Sequence, residues 1–178
     1  MRVLVTGGAG FIGANLVRAL EATGECEVVV LDDLSTGLEA NLQGSAARLV
    51  RGTICDPGAV NAAAQGCQSI VHLAALGSVP RSIADPLATH RANVDGTLNV
   101  LEAARVESAH VVFASSSSVY GANKTLPKHE GLVAQPMSPY AVSKLSAESY
   151  VLAYGRCYGI GVLPFRFFNV FGPLQRAD

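Results

Sequence analysis

The sequence predicts an α/β fold, a doubly wound parallel sheet with helices on both faces, and three observations predict it. Short, β-branched apolar runs alternate with longer segments of helical period, the pattern of parallel strands joined by right-handed crossovers. The second of these runs, residues 28–31, is continuously apolar, as a strand covered on both faces is. A glycine-rich turn joins the first run to the first helical segment, at the place where sheets of this kind bind ligand.

The elements follow in order. Residues 3–5 form the first strand. Gly7-Gly8-Ala9-Gly10-Phe11-Ile12-Gly13 comes at once, then Leu16, Val17 and Leu20 at helical spacing. Gly24 stops that helix. Residues 28–31 are the second strand and residues 49–51 a weaker third. Pro57-Gly58 opens an alanine-rich helix to Gln65, and residues 69–73 are the fourth strand. Asp85-Pro86 introduces a long helix with Val94, Leu98, Leu101 and Ala104 on one face, and residues 110–114 are the fifth strand. The polar, proline-bearing stretch from Gly121 to Pro139 is about twenty residues long, which marks a functional loop rather than a plain connector. Ser138-Pro139 starts a helix that runs to Tyr158, and residues 161–165 are the sixth strand. No internal repeat, low-complexity tract or linker divides the chain.

Composition narrows the function. A chain of 178 residues makes one domain, or one and a fragment. Hydrophobic residues are 49% and charged residues 15%, apolar enough for a core and too apolar for a disordered chain. Thirteen basic against fourteen acidic residues leave a net charge of −1, with no basic excess to hold nucleic acid or an anionic membrane surface. The four cysteines, Cys26, Cys55, Cys67 and Cys157, include no C-x-x-C pair, so neither a disulfide framework nor a metal site is expected. That usage, and an N-terminus unlike a signal peptide or a membrane span, point to the cytoplasm.

Gly7, Gly10 and Gly13 form G-x-x-G-x-x-G between strand and helix. Without Cβ atoms the backbone turns tightly and a diphosphate can approach the helix N-terminus. Asp32 ends the second strand about 20 residues after the last glycine, where an acid binds ribose hydroxyls and repels a 2′-phosphate. NAD is therefore favoured over NADP. Asp33 is the competing acid, and is read as the cap of the following turn.

Tyr140 and Lys144 form Y-x-x-x-K on one helical face. An ammonium one turn away stabilises a phenolate, which makes Tyr140 a candidate general base for a sugar or alcohol hydroxyl. The same spacing also describes a packed tyrosine beside an exposed lysine. Ser115–Ser118 follow the fifth strand, where a hydroxyl can hold the reacting oxygen or satisfy its own turn. His72 ends the fourth strand and is read as a packed, hydrogen-bonded residue rather than a ligand or base.

With these residues in view, the chain resembles the extended short-chain dehydrogenase/reductases, the NAD-dependent epimerase/dehydratase family, and within them the UDP-sugar 4-epimerases. T-G-G-A-G-F-I-G, L-D-D-L-S-T-G, H-L-A-A, N-V-D-G-T, S-S-S-S-V-Y-G, S-P-Y-A-V-S-K and R-F-F-N-V-F-G-P occur in family order across nearly all of the sequence. The resemblance implies a Rossmann-type domain binding NAD. Gly7, Gly10, Phe11, Ile12 and Gly13 would cradle the diphosphate and Asp32 would hold the adenosine ribose. Thr53 and Ile54 would stand near adenine, and Leu73, Ala74 and Ala75 would line the cofactor. Asn93, Tyr140 and Lys144 would meet its nicotinamide half, and Phe168 would bind the cofactor and help shape the pocket. Ser116, counted back from Val119-Tyr120-Gly121, would be catalytic with Tyr140 and Lys144. Ser78, Ser116, Ser117, Tyr140 and Asn169 would touch the sugar nucleotide, Val170 would shape its pocket, and Arg81 is either a further contact or a surface residue. The implied reaction oxidises sugar C4 to a ketone and returns the hydride to the opposite face.

Departures from the family pattern matter. Thr53 stands where G-D-I commonly places an aspartate. Ser117 and Ser118 stand where related 4,6-dehydratases carry acids, and a side chain without a carboxylate is a poor acid or base, which disfavours dehydration. Both UDP-glucose and UDP-N-acetylglucosamine remain open as substrates. Residues 1–178 are expected to be the NAD-binding domain, with a C-terminal substrate domain missing. A homodimer is expected of the full-length protein, through helices near residues 85–107 and 138–158, where the apolar face around Leu145, Val151 and Leu152 is compatible with a contact and equally with intrachain core. The alternatives are a non-catalytic NAD-binding fragment and a dehydratase or reductase of the same family.

Overall fold

A computed structural model describes residues 1–175. Six strands form one sheet: β1 (Arg2–Thr6), β2 (Glu27–Asp32), β3 (Arg48–Arg51), β4 (Ser69–His72), β5 (His110–Ser116) and β6 (Val162–Phe167). Their order is β3-β2-β1-β4-β5-β6 and every neighbouring pair is parallel. The chain moves outward from β1 to β3, then crosses back to β4 on the other side of β1. The sheet's switch point therefore lies between β1 and β4, where the carboxyl ends of the strands leave a crevice.

The helices are α1 (Phe11–Ala22), α2 (Pro57–Ala64), α3 (Val79–Ala84), α4 (Pro86–His90), α5 (Gly96–Glu107) and α6 (Pro139–Tyr158). Four of them start in the same way. Asp56, Ser78, Asp85 and Ser138 each accept a first-turn backbone N–H of α2, α3, α4 and α6, with a proline in the first two positions. The side chain satisfies a donor the helix cannot, and the proline has none to lose. Glycine closes α6: Gly159 adopts φ +71°.

The core has two parts. Val3, Val5, Val17, Val28 and Val30 fill one face of the sheet with α1. The other face, under α2, α5 and α6, buries Leu4, Leu31, Ile70, Leu101, Phe113 and Val151 among others. The alternation of β1 and β2 between these two clusters is why both strands are apolar between their polar ends.

Two differences from the sequence expectation, and one choice that it left open, are informative. The strands β5 and β6 each run two residues further than their apolar runs, because parallel pairing carries the polar ends Ser115 and Ser116 beside Arg166 and Phe167. The expected long helix after Asp85 is interrupted by a π turn over Arg91–Asp95, a backbone widening that hydropathy does not report. Val151, which the sequence left open between contact surface and intrachain core, is core, whereas Leu152 and Leu87 are exposed. Among the described residues no helix is long and apolar enough to cross a membrane.

Candidate functional site

The crevice begins at the turn after β1. Gly7 sits at φ +72°, and a Cβ there would lie 2.8 Å from the backbone nitrogen of Ala74. A Cβ on Gly13 would come within 2.2 Å of the Gly7 carbonyl oxygen. Glycine at these two positions lets β1, α1 and the strand after the crossover meet backbone to backbone. Gly10 is the N-cap of α1 and supplies no capping side chain, unlike the residues before the four proline-started helices. Phe11, Ile12 and Gly13, whose first-turn N–H groups have no partner within the helix, line the crevice. An uncapped helix N-terminus with close backbone access suits a diphosphate.

Asp32 stands at the end of β2, nearly buried. Its Oδ2 accepts the Ala9 N–H and its Oδ1 the Leu34 N–H, both at 2.9 Å. Each oxygen keeps a second acceptor site, enough for a ribose diol. Asp33 accepts the Ser35 N–H at 2.9 Å, the turn cap expected of it. The cleft has a volume of about 420 Å3. Thr53, Ile54, Leu73, Ala74 and Ala75 line it, together with Ser78 and Arg81. Arg81 lies within α3 and is exposed as well as bordering the cleft. Thr53 Oγ1 accepts the Cys55 N–H at 3.2 Å, which leaves its own proton free to donate.

At the far end Ala114 of β5 borders the cleft, and Lys144 Nζ donates to its carbonyl oxygen at 2.9 Å. Lys144 is only 4% exposed, with its ammonium 5.0 Å from the centre of the Phe113 ring. Burial lowers its pKa to about 8. Ser116 ends β5, and its Oγ accepts the Ser118 N–H at 3.1 Å, starting a 3-10 turn over Ser117–Tyr120. Tyr140, in the first turn of α6, is half-buried. No described residue is a hydrogen-bond partner of its hydroxyl.

The lysine gives a signed pH prediction. The folded pKa of about 8 lies below the ordinary 10.5, so across that window the unfolded chain binds more protons and stability rises with pH. Below pH 8 the burial cost is fully present, on the order of 3 kcal/mol. Lys144→Met is expected to remove this slope. Urea unfolding of both proteins across the window reads it: the stability gained by the variant shrinks as pH rises, and a constant difference contradicts a buried ammonium.

Of the predicted residues, Asn93, Ser116, Ser117, Tyr140, Lys144, Phe168 and Asn169 are not among those that line the cleft. Asn93 sits in the π turn, and its amide is engaged elsewhere. Its Oδ1 accepts the Leu76 N–H at 2.7 Å, and its Nδ2 donates to Leu76 O at 3.2 Å and to Ser143 Oγ at 3.0 Å. Phe168 lies outside the cleft lining, exposed, with its ring 6.2 Å from that of Tyr120. Asn169 and Val170 are exposed beside it, and Ser117 lies in the 3-10 turn.

The sequence reading missed Glu148 and Arg166. Ser115 Oγ donates to Glu148 Oε2 at 2.5 Å. Arg166 on β6 donates to Glu148 through Nε and Nη2, at 3.0 Å and 2.7 Å to Oε1, and its guanidinium lies 4.9 Å from the centre of the Tyr120 ring. The pair ties α6 to the ends of β5 and β6. The spacing Tyr140, Lys144, Glu148 places all three on one helical face and was available as a signal. The partner on β6 was not.

A sequence model of the NAD dependent epimerase/dehydratase family matches residues 3–178. The UDP-glucose 4-epimerase of Mycolicibacterium smegmatis is 40% identical over 182 residues, covering 98% of this chain and 58% of that protein. The UDP-N-acetylglucosamine 4-epimerase of Methanobrevibacter ruminantium M1, solved in complex with UDP-N-acetylmuramic acid, superposes with TM-score 0.92 at 37% identity, covering 98% of this chain and 57% of the other. A dTDP-glucose 4,6-dehydratase from Streptomyces venezuelae, solved with NAD bound, superposes with TM-score 0.93 at 40% identity and covers 98% of this chain and 58% of its own. The chain thus spans somewhat over half the length of these relatives. On its sheet order, its glycine turn and a match that runs almost from end to end, this chain belongs to the NAD dependent epimerase/dehydratase family, whose cofactor is NAD.

Proposed function

We propose that residues 1–178 are the NAD-binding domain of a UDP-sugar 4-epimerase, a cytoplasmic homodimer when whole. The observation that carries the choice of reaction is the polar end of β5. Ser116, Ser117 and Ser118 offer hydroxyls and no carboxylate, whereas water elimination from a sugar needs an acid and a base beside the ring. When bound, NAD accepts a hydride from sugar C4 and gives it back. The protein does the rest. Tyr140 takes the proton of the 4-hydroxyl and returns it, the buried Lys144 ammonium stabilises the phenolate, and the Ser116 hydroxyl holds the reacting oxygen. Ser78, Ser117 and Asn169 are proposed to contact the sugar nucleotide, and Phe168 the cofactor.

Incubation with UDP-glucose, UDP-N-acetylglucosamine and dTDP-glucose, followed by proton NMR of the anomeric signals, tests the reading. The C4 epimer of a UDP-sugar, with no net NADH, is expected. A 4-keto-6-deoxy product means a dehydratase, steady NADH means a dehydrogenase, and NAD binding without turnover of any sugar means a binding module.

Asp32 is proposed to hold the adenosine ribose. Asp32→Asn removes the charge and turns one acceptor into a donor facing the Ala9 or Leu34 N–H. A hydrogen bond to a charged group contributes about 1.5–3 kcal/mol, so NAD affinity is expected to fall about tenfold or more. The preference against NADP should narrow. Calorimetric titration with both nucleotides checks it, and unchanged affinity removes Asp32 from the site.

A further inference from the structure

Beneath the floor of the cleft lies a run of buried polar side chains that the proposed chemistry does not use: Thr6 at the end of β1, His72 at the end of β4, Thr97 on α5, Asn93 in the π turn and Ser143 on α6. They form one chain of hydrogen bonds, which passes through Asn93 from its backbone carbonyl to its side-chain amide. The Ala74 N–H donates to Thr6 Oγ1 at 3.3 Å, and Thr6 Oγ1 lies 2.7 Å from His72 Nδ1. On the other side of the ring, His72 Nε2 lies 3.0 Å from Thr97 Oγ1. The Thr97 hydroxyl donates to the Asn93 carbonyl at 2.7 Å, the Asn93 amide donates to Ser143 Oγ at 3.0 Å, and Ser143 donates to the Tyr140 carbonyl at 2.8 Å.

Proton counting fixes every direction in this chain. The single hydroxyl proton of Thr97 goes to the Asn93 carbonyl, so towards His72 that oxygen accepts, and Nε2 carries the ring proton. Nδ1 is then bare and accepts the hydroxyl proton of Thr6. The Thr6 oxygen is left free to accept the Ala74 N–H. An imidazolium, or the opposite tautomer, would put two protons between His72 and Thr6 and leave one of them unpartnered in the interior, a costly arrangement. The surroundings agree. Burial, and secondarily the Lys144 ammonium, hold the ring's pKa down at about 3. The Phe113 ring fills the space beside both, 5.6 Å from His72 and 5.0 Å from Lys144 Nζ.

The two ends of the chain are what give it meaning. Ala74 and Leu76 are wall residues of the cleft. The Leu76 backbone is gripped on both its N–H and its carbonyl by Asn93. The other end is the first turn of α6, which carries Tyr140. No direct contact between those two segments is needed, because the relay holds both. We propose that His72, as the neutral Nε2–H tautomer, is a positioning residue that fixes the cleft wall at Ala74–Leu76 and the Tyr140 turn of α6 in one arrangement, acting through Thr6, Thr97, Asn93 and Ser143. Its catalytic consequence rests on the reading of Tyr140 as the base. Its structural content does not.

The first test is the ring itself. Long-range nitrogen–proton NMR of the protein labelled in its histidines is expected to find the His72 proton on Nε2 throughout pH 5–8, with or without NAD. A proton on Nδ1, or on both nitrogens, overturns the proposal. The second test is a pair of substitutions, Thr97→Val and Thr97→Ser. Valine keeps the shape and breaks the relay on both sides of Thr97, and serine keeps the hydroxyl. The valine protein is expected to bind NAD about fivefold more weakly, the scale of one lost hydrogen bond, with serine restoring the affinity. If the protein turns over a sugar, kcat should fall about tenfold with KM little changed, since a small misplacement of a reacting group has effects of that order or larger. Ser143→Ala provides a second break, on a helix that tolerates alanine, should the valine protein fail to fold. Variants that melt earlier yet keep NAD affinity and kcat within twofold would show packing alone and sink the proposal. The tautomer and the NAD titration are read without a sugar, so failure of the epimerase reading leaves them intact.

Discussion

Tyr140→Phe is expected to abolish sugar turnover in the protein while leaving NAD binding within about twofold, because the substitution removes one hydroxyl and no positioning contact. The phenol has no hydrogen-bond partner among the described residues, and what the rest of the structure uses of Tyr140 is its backbone carbonyl, which accepts from Ser143. Phenylalanine keeps that carbonyl and the ring. General acid–base groups contribute about 100- to 10,000-fold to a rate. A base with no substitute nearby should cost the upper part of that range. The serines at the end of β5 cannot replace it, and below pH 8 Lys144 holds its proton and cannot accept another. Turnover of UDP-sugar, followed by NMR or a coupled assay, is the measurement, with NAD titration as the control for folding. A variant that retains even one tenth of the wild-type rate would remove Tyr140 from the role of base.

Glu148→Gln is expected to be the most damaging single change to stability, at about 3 kcal/mol or more. Breaking a buried ion pair by removing one partner typically costs about 3–5 kcal/mol, because the surviving charge stays in the interior uncompensated. Here the survivor is Arg166, with side-chain exposures of 17% for the arginine and 7% for the glutamate. Glu148 accepts three contacts from Arg166 and one from Ser115, and the Arg166 Nη1 already lacks a partner. A guanidinium does not give up its proton inside a protein, so the arginine stays charged once its partner is gone. An amide would turn one acceptor into a donor aimed at other donors. The double variant Glu148→Gln with Arg166→Met should recover much of the loss, since it removes the stranded charge and offers an apolar stem in its place. Denaturant unfolding of the single and double variants measures this. Equal stability in the wild type and the single variant would mean that the pair is solvated, contrary to its burial.

Fold and site were legible to different degrees, for physical reasons that particular residues illustrate. The strands of the doubly wound sheet could be found because parallel strands buried on both faces are apolar throughout, as Val28, Val29, Val30 and Leu31 are. Helix starts were visible as Ser138-Pro139 and Asp85-Pro86, since capping is local chemistry within a few residues. The π turn at Arg91–Asp95 was not visible, because hydropathy follows the face of a helix and is blind to one added residue in a turn. Lengthened strand ends at Ser116 and Phe167 depend on pairing with a neighbour, which no single segment encodes.

The same division holds at the cleft. By itself the sequence determined the glycine turn, Asp32, the serines after β5 and the Tyr140–Lys144 pair, because each is a short motif whose spacing matches one turn or one strand end. Only the tertiary structure decided what surrounds them. It brought Arg166 to Glu148 from another strand, spent the Asn93 amide on Leu76 and Ser143, and set His72 between two threonines that lie 66 and 25 residues away. A hydrogen bond needs its donor and acceptor within about 3 Å and carries no imprint of their separation along the chain, so such partners exist only once the layers of the fold have closed.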